Sequence, residues 1–246
     1  MIAGQTWQIV VWLAAVAFVA GLSRGFSGFG AALIFIPLAS AAVGPALAAP
    51  ILLAIDAVGA APMLPKAWKS ADLRTVFVMS AGAVVSVPFG AAALGWMDPF
   101  ALRWVISATI LILAALLASG WRYTGRPLTG ITLGVGVISG FLSGSAQIGG
   151  PPAVAYWLGG QSTAQTVRAN IVVFFACSTV YTGVTYALSG FLGWPMFWLS
   201  LAVAPPYIGG TALGMWMFGL ARPETFRRIS YALIAFAAIL GLPIVL

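Results

Sequence analysis

The chain has no histidine, one cysteine and four carboxylates among 246 residues. Three of those acids, Asp72, Asp98 and Glu224, stand at the edges of apolar runs, so Asp56 is the one carboxylate inside a run. An enzyme needs a nucleophile with a base, or a set of metal ligands, and this inventory supplies neither. No cofactor or metal is expected, and Cys177 alone permits no disulfide within the chain. A Gly-X-X-X-X-Gly-Lys-Ser/Thr loop is also missing, which leaves a gradient or a partner, not bound ATP, as the energy source.

What is abundant is apolar. Hydrophobic residues make up 62% of the chain and charged residues 6%, where a soluble domain carries about a quarter charged. Apolar segments at about 7–22, 29–43, 46–64, 75–95, 103–119, 128–142, 148–160, 169–187, 195–218 and 229–246 are too many for one buried core. Lipid tolerates no open sheet, so the fold class is an all-α polytopic membrane protein, a single membrane domain over 1–246 in the cell (inner) membrane. The first run, MIAGQTWQIVVWLAAVAF, has no basic residues ahead of it and is expected to stay as a helix. The net charge of +7 comes from residues at segment edges; it orients the chain in the bilayer and does not call for nucleic acid. Most of the ten tryptophans are expected as belt anchors, and Cys177 as a small packing residue.

Four segments, 7–22, 29–43, 128–142 and 148–160, are short for a crossing. They form two pairs, each joined by a glycine-rich break, SRGFSGFG in the first and SGFLSGSAQIGGPP in the second. The stretch VPFGAAALGWMDPFALRW is echoed by PPYIGGTALGMWMFGLARPETFRR, with Pro99 and Arg103 matching Pro223 and Arg227. Two repeats follow, 1–119 and 127–246. Lys66, Lys69 and Arg74 make the loop at 65–74 basic while its counterpart SGFLGW has no charge, and GLARPETFRR is more basic than GWMDPFALR. That switch of bias predicts inverted repeats, each a re-entrant hairpin plus three transmembrane helices, with the loops at 65–74, 120–127 and 220–228 cytoplasmic. Parallel repeats are the alternative.

A break in each half brings backbone N–H groups and positive dipole ends toward the midplane, a setting that suits an anion. Arg24 adds a full charge with five donors. It either grips the substrate, binds the carbonyls of its own arm, pairs with Asp56, or reaches out to water. Asp56 is read as its counter-charge or as a proton-carrying carboxyl. The substrate-binding candidates are Arg24, Gly25, Ser27, Gly28, Gly30, Ser143, Gly144, Gln147, Gly149, Gly150, Pro151 and Asn170, with Ser23, Ser145 and Pro152 beside them. The expected partners are a small anion and the lipid bilayer.

The run Gly25-Phe26-Ser27-Gly28-Phe29-Gly30 followed by Pro37, matched by Gly140-X-X-X-Gly144-X-X-X-X-Gly149-Gly150-Pro151-Pro152, resembles the TauE/SafE family, also called the toluenesulfonate uptake permease family. The resemblance spans nearly the whole chain. It implies secondary transport, in the export direction, of small sulfur-containing anions such as sulfite or organosulfonates. The first motif reads Gly30-Ala31-Ala32 where the family carries a richer glycine run, which implies a less close backbone approach to the ligand there. An anion channel built on the same hairpins is the alternative function.

Overall fold

In lipid every backbone amide must find its partner within the chain, and the described residues answer this with helices; none of them forms a strand. The computed structural model describes residues 4–120, 123, 128–160, 162–218 and 234–244, without the side chains of Ser27, Ala164 and Phe218. The helices are α1 (Trp7–Ser27), α2 (Ala31–Val43), α3 (Pro45–Ala60), α4 (Leu64–Ser70), α5 (Leu73–Trp96), α6 (Pro99–Ala118), α7 (Thr129–Ala146), α8 (Gly150–Gly159), α9 (Ala164–Leu188) and α10 (Trp194–Phe218). A 3-10 turn, Ala61–Met63, joins α3 to α4, and residues 234–240 are again helical. The cytoplasmic-loop assignment at 220–228 and the Pro223 and Arg227 match lie outside the described residues.

The boundary acids start helices. The Asp98 carboxylate accepts from Phe100 N and Ala101 N at 3.0 Å, with Pro99 in the first turn, and Asp72 accepts from Thr75 N at 3.3 Å. Among the described residues seven helices are long and apolar enough to cross a membrane, which makes this a multi-pass membrane protein. Among the described residues eight tryptophans are exposed, Trp7, Trp96, Trp194 and Trp216 included, as interface anchors should be; Trp157 instead is buried, edge-on to Tyr156 and Phe174.

The first arms of both pairs are longer than the sequence suggests. Helix α1 runs 21 residues and α7 18, and both count among the seven; only α2 and α8 stay short. The helices continue because their glycines are packing positions. Gly21 and Gly25 of α1 press on α10, where a Cβ at Gly25 would collide with Thr211 O and meet Met215 N at 2.9 Å. Gly140 and Gly144 of α7 press on α5 in the same way, and a Cβ at Gly144 would collide with Val87 O and sit 3.0 Å from Ala91 N. Helices with small residues four apart approach backbone to backbone.

The two seams share one register. Gly144 lies 119 positions after Gly25, and its partners Val87 and Ala91 each lie 124 before Thr211 and Met215. From the other side Gly214 meets Leu22 O and Phe26 N, and Gly90, 124 positions earlier, meets Phe141 O and Ser145 N, which lie 119 after Leu22 and Phe26. Where Gly210 abuts Phe18 O, the corresponding Ser86 donates its hydroxyl to Val137 O at 2.6 Å.

Helix α9 sets the depth of the molecule. Its start lies beside the end of α4, with Gln165 Nε2 3.3 Å from Ser70 Oγ and Asn170 Oδ1 accepting from Asp72 N at 2.7 Å. Its 25 residues then travel about 37 Å, so the turn at 189–193 sits at the far end from α4.

Candidate functional site

The break in the first pair is narrower than SRGFSGFG. Ser23, Arg24, Gly25 and Phe26 are helical, and α1 stops where Gly28 turns left-handed at φ 79°, its N–H closing on Arg24 O at 2.9 Å. Gly30, at φ 96°, then opens α2. In the second pair Gln147 takes the left-handed position at φ 60°, 119 residues after Gly28. The carbonyl end of α1 is closed by two arginines. Arg24 Nη1 donates to Gly28 O, and Arg168 of α9 donates from Nη2 to Gly25 O at 3.3 Å, cations at a negative helix end.

Arg24 is buried at 2% exposure and carries a carboxylate partner. Its Nε lies 2.8 Å from Asp56 Oδ1, and the same oxygen accepts from the Tyr207 hydroxyl of α10 at 2.5 Å. Gly59, one turn beyond Asp56, leaves the Tyr207 ring its space, since a Cβ there would sit 2.8 Å from the ring edge. On its face away from the acid, the guanidinium stands 4.7 Å from the centre of the Phe175 ring. These two hydrogen bonds use two of its five N–H donors.

These groups border a cavity of about 30 Å³, space for about two waters. Its walls are the start of α2 (Gly30, Ala31, Ala32, Leu33), Arg24 and Asp56, the break residues Phe29, Gln147 and Ile148, the start of α8 (Gly150, Pro151), Leu52, and Phe175, Ser178 and Thr179 of α9. The first amides of α2 have no acceptor within their own helix, so they face the cavity as donors. Gln147 lines the cavity at the left-handed turn between α7 and α8. A buried positive side chain and free helix-start amides meeting in one cavity are chemistry for an oxyanion.

Of the residues singled out by sequence, Arg24, Gly30, Gln147, Gly150, Pro151 and Asp56 line this cavity. Gly28 is not among its walls and instead offers its carbonyl to Arg24, and the side chain of Ser27 lies outside the described residues. Gly25 and Gly144 belong to the helix seams. Gly149 is packed on Ser139 O of α7, and Ser143 O accepts from Gln147 N at 2.9 Å. Asn170 fastens the start of α5 instead of reaching the cavity. Helix α8 is also a poorer donor than a bare helix start, because Pro151 and Pro152 bring no N–H. Phe175, Ser178, Thr179 and Tyr207 carry no sequence signal beyond their place in apolar runs, though a carboxylate in a span demands donors and Tyr207 is one.

The described residues hold no His, Cys, Asp or Glu group that could bind a metal. The family profile described as Sulfite exporter TauE/SafE matches residues 13–240. The chain belongs to the TauE/SafE family. This is a transporter family of the sulfite and sulfonate type, and membership agrees with a multi-pass membrane protein. No curated protein and no solved structure matches the chain.

Proposed function

We propose that this TauE/SafE protein is a secondary transporter that exports small sulfur-containing oxyanions, sulfite or short organosulfonates, and that the anion binds between Arg24, Gln147 and the start of α2. The observation that carries the site is Arg24, a cation at 2% exposure that lines the same cavity as the first residues of α2. A buried guanidinium and free first-turn amides are strengthened by an anion set between them. Export rests on the family description alone. Arg24, Phe175 and Thr179 line both the site and the neighbouring cavity, and residues set between two cavities suit a carrier that alternates access.

Thermal unfolding of the purified protein in sulfite, methanesulfonate, sulfate and acetate tests the reading. A ligand at a hundredfold its Kd stabilises by about 2.7 kcal/mol, and sulfite or methanesulfonate should raise Tm where acetate does not. Gln147→Gly relieves the left-handed backbone and removes the donor. It should leave the unliganded Tm unchanged or higher and weaken the anion by about threefold to tenfold, a neutral hydrogen bond's contribution. No anion-dependent shift in the native protein would overturn the assignment.

The same reading takes the halves as inverted repeats. The shared register of the two seams supports duplication. Inversion is supported by α9, which separates the basic loop near Lys69 from the uncharged turn near Gly190 by about 37 Å, although these loops hold equivalent places in the two halves. With Cys177 replaced by alanine, single cysteines at Lys69 and Gly190 should react with an impermeant thiol reagent from opposite sides of the membrane. Reaction from one side would replace inversion by parallel repeats.

A further inference from the structure

A second cavity, about 130 Å³, adjoins the first. It is lined by Ala57, Ala60, Ala61 and Leu64 where α3 passes into α4, and Ala61 is exposed. The two cavities have three residues in common, Arg24, Phe175 and Thr179. Phe175 is the bulky neutral member of that wall. Its ring rests against Gly150, where a Cβ would come within 2.8 Å of the ring, and its face meets the Arg24 guanidinium at 4.7 Å. The ring therefore lies between the cation and the start of α8.

We propose that Phe175 is a gate, and that the second cavity is the antechamber through which the anion reaches the inner cavity from the α4 end. The inference rests on the anion-site reading for what passes, and on geometry alone for where it passes. Arg24 lines the antechamber as well and draws an anion into it, while the π face, which repels negative charge, stands on the way to the inner cavity. Entry requires the ring to leave the guanidinium. The vacated face of Arg24 then becomes available to the anion, so one movement both opens the route and exposes the binding group. The cavity beyond the ring holds about 30 Å³, against about 130 Å³ in the antechamber. Register gives the ring a counterpart. Phe175 lies 119 positions after Asp56, so the two partners of Arg24 occupy equivalent places in the two halves, a permanent one with charge and a releasable one without.

The test reads access and needs no known substrate. In a Cys177→Ala background, a cysteine is placed at Ala32, in the inner cavity, or at Ala61, in the antechamber, with Phe175 either kept or changed to Ala. Each solubilised protein is treated with 2-sulfonatoethyl methanethiosulfonate, and its cationic 2-aminoethyl counterpart is run in parallel. The cysteine at Ala61 should react at one rate in both backgrounds. The cysteine at Ala32 should react at least tenfold faster once the ring is gone. Equal rates at Ala32 in both backgrounds, for both reagents, or a protected cysteine at Ala61, would overturn the gate. If instead the acceleration is present but the anionic reagent is no faster than the cationic one, the gate stands and the anion-site reading falls. Should Phe175→Ala fail to fold, Phe175→Val shrinks the same wall with a smaller void and is read in the same way.

Discussion

Arg24→Ala is expected to abolish anion-dependent stabilisation and to lower the stability of the unliganded protein as well. The loss of stability has a simple origin. The change strands Asp56 with Tyr207 as its remaining donor, leaves the Gly28 carbonyl without its partner, and removes the cation from the Phe175 face. Breaking a buried ion pair by deleting one member costs about 3–5 kcal/mol. The single variant therefore cannot separate a binding role from a structural one, and the double change Arg24→Ala with Asp56→Asn does. Asparagine keeps an oxygen for the Tyr207 hydroxyl and carries no charge to be stranded, so much of the stability should return. Anion binding should not return. A desolvated charge-assisted contact is worth about 1.5–3 kcal/mol, or about a tenfold to hundredfold loss in affinity. Arg24→Lys should fall between, because an ammonium keeps the charge but cannot hold Asp56 and Gly28 together while offering a planar fork. A double variant that binds sulfite or methanesulfonate with native affinity would reduce Arg24 to a partner of Asp56.

The pairing of Arg24 with Asp56 is legible in the sequence, because a lone arginine and a lone carboxylate in apolar runs have few other ways to be buried together. The order of segments is equally legible, since length and hydropathy are local properties. The break is harder to delimit. Ser23 to Phe26 look unfavourable for a helix by composition, but tertiary packing overrides propensity, and a glycine facing another backbone stabilises through close approach. Gly21 and Gly25, and Gly140 and Gly144, are four apart, the spacing of a helix seam, and that spacing separates them from Gly28, Gly30 and Gly149 in the turns. Phe175 is not legible at all. An aromatic residue in an apolar run reads as core, and only the positions of Gly150 and Arg24 on other helices give its ring a task.

The glycine seams themselves separate a packing role from a binding role. Gly25→Ala would drive a methyl group into Thr211 O, and Gly144→Ala would drive one into Val87 O, in each case against backbone that cannot rotate away. Overpacking of this kind costs about 1–3 kcal/mol, and the shared register predicts losses of similar size at the two positions. Gly134 of α7 and Gly209 of α10 are the controls, because nothing lies within 4 Å of a Cβ at either. Gly134→Ala and Gly209→Ala should therefore be neutral or slightly stabilising, as alanine is the better helix former. The measurement is the unfolding midpoint of all four variants, with anion affinity determined on those that remain folded. In the seam variants the midpoint should fall, while sulfite or methanesulfonate binds the folded fraction with little change, since neither Gly25 nor Gly144 lines the cavity. A variant at Gly25 with native stability and lost affinity would return that glycine to the anion site and move the site up α1, toward the α10 seam.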